Sequence, residues 1–208
     1  KLIVEYCCSP ESKIGVAAIR DGQTAVLRLT RKMDMTDRKY VQMALKCITA
    51  WKNGNIWLHS SIPCTGGSPW QFVNESVYRE KDDSQALQRL TNLRKEFHVL
   101  WENFETLAQM VIVKNGIVTV EWPTQCTYWN DPNVVRFIES YNLGKTNIDG
   151  CAYGLQTAHG EYIRKPWTIH TNSNQILQKV NKKCDGTHDH VACRGTLCKT
   201  SELYTDSL

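Results

Sequence analysis

Short apolar runs alternate along this chain with longer stretches in which apolar residues recur every three or four positions. LIVEYC (2–7), AVLRLT (25–30), NIWLHSS (55–61), GIVTVEW (116–122), NIDGCAYG (147–154) and PWTIHTN (166–172) are rich in β-branched or aromatic residues and end in turn or polar residues, so they predict strands. The clearest helical period runs from Asp82 to Lys114, where Leu87, Leu90, Leu93, Phe97, Leu100, Phe104, Leu107 and Val111 share one stripe. Further helices are predicted over 37–51, 130–141 and 174–182. Strands alternating with helices predict an α/β fold with a mostly parallel sheet and helices on both faces. From Cys184 onward apolar residues thin out and Cys, His and Gly take over, so the tail is expected to be irregular unless something ties it down.

Composition narrows the picture only modestly. At 208 residues, with 41% hydrophobic and 22% charged, the chain has the size and apolar content of one domain, expected to divide into an α/β body over 1–182 and a Cys/His-rich tail over 183–208 packed on it. A net charge of +4 permits a polyanionic partner without arguing for one. Nine cysteines is an odd count scattered through apolar stretches, which fits free or metal-bound thiols in a reducing intracellular compartment, nuclear or cytoplasmic, better than a disulfide framework. No run approaches the ~18 apolar residues that a membrane span needs, and the start carries no signal-peptide pattern. A soluble protein with no membrane partner is expected. Residue 1 is lysine, which leaves room for the chain being part of a longer polyprotein.

Three places hold candidate chemistry. The first strand opens into VEYCCSPESKIG, where a nucleotide-type site would want several glycines and only Gly15 is present; an ordinary strand-to-helix turn capped by Ser9 or Ser12 is the alternative. Cys64 follows the third strand in SIPCTGGS, a turn that exposes a thiol among small residues with room for a flat substrate, against the alternative of an inert core cysteine. Glu121 ends the run VTVEWP, where a carboxylate must be paired or kept protonated unless it lies at the surface. In the tail, Cys184, His188, His190, Cys193 and Cys198 offer the thiols and imidazoles of a tetrahedral structural zinc site, or else a solvent-exposed loop with scattered Cys and His.

The order VEYCCSPESKIG, IWLHSSIPCTGGS, VEWP and DGCAYGL…IRKPWTIHTNS resembles the C5-cytosine DNA methyltransferases, especially compact phage-like members and related domains of mobile-element polyproteins, over residues 2 to 175. The resemblance implies a Rossmann-like class I methyltransferase fold. It makes Cys64 the nucleophile that adds to C6 of a cytosine and Glu121 the acid that hydrogen-bonds N3, with Arg164 and Lys165 echoing a later arginine motif. It also implies S-adenosylmethionine held around Glu5, Cys7, Ser9, Glu11, Gly15, Thr30 and Pro63, and a nucleic-acid partner whose base is unpaired or flipped between aromatics such as Trp70 and Trp122. Where the family carries glycines the first turn here has Ser9, Pro10, Glu11 and Ser12, and where it carries an acid after the second strand this chain has Thr30, Arg31 and Lys32. Those departures define the alternative: a non-catalytic methyltransferase-like module that has lost its cofactor site and binds nucleic acid or other parts of a polyprotein.

Overall fold

The computed structural model describes the chain apart from residues 21, 194, 203, 206 and 208. Strands β1 (Leu2–Cys8), β2 (Ala25–Thr30), β3 (Ile56–Ser60), β4 (Ile117–Pro123), β5 (Gly144–Asp149) and β6 (Pro166–Thr171) build one six-stranded sheet in the order β2-β1-β3-β4-β6-β5. β1 to β4 run parallel, and β6 is antiparallel to both of its neighbours. The helices are α1 (Lys13–Ile19), α2 (Arg38–Ala50), α3 (Trp70–Glu80), α4 (Ser84–Val113), α5 (Pro132–Ser140), α6 (Asn174–Lys179) and α7 (Thr196–Thr200). The architecture is α/β and compatible with a Rossmann-like fold. No helix among the described residues is long and apolar enough to cross a membrane.

Local sequence accounts for the helix starts. Asp37, Asp83 and Asp131 each accept a hydrogen bond from a backbone N–H in the first turn of α2, α4 and α5, and Pro132 fills the first position of α5, where its missing N–H costs nothing.

Because side chains alternate across a strand, each strand feeds two different environments. On one face Tyr6, Leu29, Leu58, Val118, Val120 and Trp122 pack against Val41, Ala44 and Ile48 of α2, Phe97, Trp101, Phe104 and Leu107 of α4, and Val134 and Phe137 of α5. Phe97 stacks on Tyr128 with ring centroids 3.5 Å apart. Trp122, expected to rim the crevice, belongs to this core: it is 1% exposed and its Nε1 donates to the Ile62 carbonyl at 2.8 Å. On the opposite face the register aligns Glu5 with Arg28 and His59, and His59 with Thr119. A smaller core of Ile148, Tyr153, Leu155, Ile163, Trp167 and Ile169 lies at the β5–β6 end, closed by Val180, Val191, Cys193 and Leu197 from the chain after β6.

Four elements depart from the sequence-based expectation. α3 was not foreseen; Trp70, Val73 and Val77 recur at helical spacing in it, yet it buries none of its residues, and Trp70 and Phe72 are 62% and 61% exposed. The strand expected over 147–154 ends at Asp149, and a 3-10 turn, Gly150–Tyr153, follows in which Gly150 lies too close to Leu155 and Trp167 for any side chain. α6 stops at Lys179, short of 182. The tail is not irregular throughout: it contains α7 and a bridge between Val191 and Ile163, and it contributes to the smaller core.

Candidate active-site crevice and metal centre

The carboxyl ends of β1, β3 and β4 open on the same side of the sheet, the edge at which parallel α/β sheets present ligand-handling groups. Cys64 lies there, half-buried, four residues past the end of β3. The two glycines after it do not make space for a substrate. A Cβ on Gly67 would fall 2.8 Å from the Tyr128 ring, and one on Gly66 would meet the Tyr128 hydroxyl, so both glycines are demanded by packing. Burial and the nearby Glu121 charge push the Cys64 thiol up to about 11, with Lys165 acting in the opposite direction. Cys64 is therefore a thiol at neutral pH.

Glu121 is 9% exposed, and burial raises its carboxyl to about 7 despite the Tyr204 hydroxyl and the Lys165 charge, which both favour the anion. Its Oε2 accepts from the Tyr204 hydroxyl at 2.9 Å, while its Oε1 is buried without a hydrogen-bond partner. Behind it runs a chain of polar contacts. Trp57 Nε1 donates to Thr119 Oγ1 at 2.9 Å, Thr119 Oγ1 lies 2.7 Å from His59 Nδ1, and His59 Nε2 lies 3.1 Å from the Tyr204 hydroxyl. One assignment of protons satisfies every link: Thr119 donates to Nδ1, the ring carries its proton on Nε2 and donates to Tyr204, and Tyr204 donates to Glu121. Burial lowers His59 to about 4, which keeps that neutral ring at neutral pH. Each donor polarises the next, so the relay ends by favouring negative charge on Glu121 Oε2.

Arg164 is exposed, whereas the adjacent Lys165 is half-buried and donates through Nζ to the Ser201 carbonyl at 2.8 Å. The cation that acts on both Cys64 and Glu121 is Lys165.

The residues assigned to S-adenosylmethionine do not form a cofactor cradle. Glu5 is fully buried: Ser12 Oγ donates to one oxygen, and Arg28 Nε forms an ion pair at 3.5 Å with the other, which has no hydrogen-bond partner. Burial raises its carboxyl, opposed by Ser12 and Arg28. A Cβ on Gly15 would run into the Glu5 carboxylate and the Arg28 guanidinium, so this glycine serves the packing of α1 on the sheet. Cys7 adopts φ 58 at a break in the β1–β2 register and packs against the larger core, its thiol pushed up by burial. Thr30 Oγ1 accepts from the Lys32 N–H at 3.4 Å. Ser9, Glu11 and Pro63 are exposed and come into reach of a ligand only from solvent.

A second constellation lies beyond β5. Cys151, Cys184, His188 and His190 bring their ligand atoms within 4.8 Å of one another, a group that could hold a metal such as zinc. Cys184, His188 and His190 were legible in the tail; Cys151 was not, since it stands 39 residues before His190 in a segment read as strand. Cys193 and Cys198 do not join. Their sulfurs pair with each other at 3.8 Å, and Cys193 Sγ also lies 3.4 Å from Ser201 Oγ.

Compared with family models, curated proteins and solved structures, the chain matches none of them. The site must be read from its own atoms. Sequence reasoning missed His59, Thr119 and Tyr204, and named Lys165 only beside Arg164. A signal for the first two was present: on strands whose other face is apolar, Glu5, His59, Thr119 and Glu121 put polar side chains at alternate positions of three adjacent strands, an arrangement costly enough to mark a site.

Proposed function

We propose that the chain is a methyltransferase-like domain that handles a nucleic-acid base through Glu121 and Cys64. The observation that carries this reading is the Glu121 carboxyl: buried at the carboxyl end of a central parallel strand, poised at about 7, and with Oε1 unpartnered. A carboxyl group in that state can present either a proton or a lone pair to a heteroaromatic ring nitrogen, as a base-contacting acid must. Cys64 is the only nucleophile the resemblance supplies, and Lys165 is the group placed to favour its thiolate once a ligand excludes the Glu121 charge. Trp70, exposed six residues beyond Cys64, offers an aromatic surface for stacking a flipped base. S-adenosylmethionine would supply the methyl group, and the poor fit of the β1–α1 turn makes its binding the point on which the reading turns. Calorimetric titration with S-adenosylmethionine is the test: heat of binding that survives Cys64→Ser, together with loss of base methylation in that variant, is expected. Absence of binding to the intact chain sinks the enzymatic reading.

A specific observation favours the second reading, a non-catalytic nucleic-acid-binding module. The Glu5–Ser12–Arg28 contacts close the turn where backbone would have to approach a cofactor, while Arg31 and Lys32 stand exposed at the end of β2. Nucleic-acid affinity that falls steeply with salt in the absence of cofactor binding would support it.

A further inference from the structure

We propose that Cys151, Cys184, His188 and His190 bind one zinc ion, and that this ion holds the tail so that Tyr204 reaches Glu121. The donor set is two thiols and two imidazoles, the composition of closed structural zinc sites. Three of the six ligand–ligand spacings agree with a single central ion, and all six lie within 4.8 Å. With Zn–S of ~2.3 Å and Zn–N of ~2.0–2.1 Å in a tetrahedron, neighbouring ligand atoms should lie about 3.3–3.8 Å apart. Cys184 Sγ lies 3.7 Å from His188 Nε2 and 3.4 Å from His190 Nε2, and His190 Nε2 lies 3.3 Å from Cys151 Sγ. Both histidines turn the same ring nitrogen inward.

The surroundings are those of an oriented centre. The Gly186 N–H donates to Cys184 Sγ at 3.3 Å, Tyr162 stacks on the His188 ring at 3.9 Å, and the Asp185 carboxylate lies 3.9 Å from His188 Nδ1. Asp149, the last residue of β5, accepts from the Cys184 N–H at 3.1 Å and so ties the first tail ligand to the strand that delivers Cys151.

The second half of the proposal follows from connectivity. The segment after Lys179 bridges Ile163 through Val191 and has few apolar anchors, Val180, Val191, Cys193 and Leu197, before Lys165 donates to the Ser201 carbonyl and Tyr204 enters the relay. A metal joining Cys151 to positions 184–190 shortens the free chain that must be ordered to place Tyr204, and metal binding of this type contributes folding free energy directly. The proposal does not depend on what the crevice binds.

The experiment uses the full chain purified without chelator. Elemental analysis should find about one zinc per chain, and replacement by Co(II) should give the intense visible bands of a tetrahedral thiolate site. Cys151→Ser should weaken zinc by more than the ~10–100-fold typical of outer-shell changes, while Cys193→Ser and Cys198→Ser leave it unchanged. Removing the metal with a chelator from the wild-type chain, and restoring it, covers the case in which Cys151→Ser fails to fold. Hydrogen exchange over 196–205 and over 59–62 should accelerate together on chelation and recover on zinc addition. Less than a tenth of an equivalent of zinc with no cobalt spectrum, or retention of metal by Cys151→Ser and loss by Cys193→Ser, overturns the site. Unchanged exchange over 196–205 after the metal is gone overturns the link to Tyr204. Either result leaves the S-adenosylmethionine titration to decide the proposed function separately.

Discussion

The two faces of the sheet are made by the same strands and governed by different physics. The face under α2, α4 and α5 is filled by aliphatic and aromatic side chains, with few polar atoms among them: Trp122 Nε1 and the Tyr6 hydroxyl donate to carbonyls, while the Tyr128 hydroxyl is buried without a partner. The face under α1 and the tail carries Glu5, Arg28, His59, Thr119 and Glu121, whose charges and hydrogen bonds must be answered one by one. Apolar packing tolerates small errors, whereas a buried acid without its partner costs more than most contacts contribute. Glu121 Oε1 and Glu5 Oε2, both on the polar face, are buried carboxylate oxygens without a hydrogen-bond partner.

Substitutions on each face test that contrast. The largest effect is expected on the apolar face: Phe104→Ala, at a fully buried position surrounded by rings, should lower unfolding free energy by about 3–5 kcal/mol in urea denaturation. A loss below about 1 kcal/mol would mean that this core is far looser than the structure shows.

Next comes a pH dependence confined to the polar face. Glu121 holds its proton more tightly folded, from 4.5 to about 7, so its contribution is present below pH 4.5 and is lost as pH rises through 7. His59 works the other way: folding lowers it from 6.5 to about 4, so its contribution is present above pH 6.5 and is lost as pH falls through 4. Between pH 4.5 and 6.5 the two slopes oppose each other. Glu121→Gln should remove one of them, leaving stability that rises across that window, and should raise stability at pH 8 relative to wild type by up to about 3 kcal/mol. Parallel wild-type and variant profiles would contradict the buried, protonated carboxyl.

Tyr204→Phe sharpens the comparison at a single atom. It removes the donor to Glu121 Oε2 and the acceptor from His59, which should cost about 1–3 kcal/mol and move the Glu121 titration further up. Carbon-detected NMR of the Glu121 carboxyl would read the shift directly; no upward movement would break the relay as assigned. The smallest effect belongs outside both faces, where Val113→Ser at a 77% exposed position should change stability by no more than about 0.5 kcal/mol.

Much of the fold was legible along the chain because periodicity records burial. The stripe from Leu90 to Val111 became α4, and all six strand signals fell on strands, β5 starting before its expected segment and ending at Asp149. α3 was passed over although Trp70, Val73 and Val77 recur at helical spacing, in a helix that buries none of them. Glu121 and Cys64 could be picked out because an acid ending an apolar strand and a thiol in a proline-glycine turn are unusual locally. Local reading also drew Cys193 and Cys198 into the metal set, whereas their sulfurs lie against each other and Cys151 joins the group instead.

What the sequence by itself determined, then, was the alternation of elements and the mostly parallel sheet, which depend on contacts within a few positions or on a repeating period. Only the tertiary structure decided which groups meet. Tyr204 reaches Glu121 across 83 positions, His59 meets Thr119 across 60, and Cys151 joins His190 across 39. No periodicity encodes such pairs, because each is set by strand register and by where a returning chain crosses the sheet, and it is there that a free carboxyl oxygen and four inward-facing ligand atoms came into being.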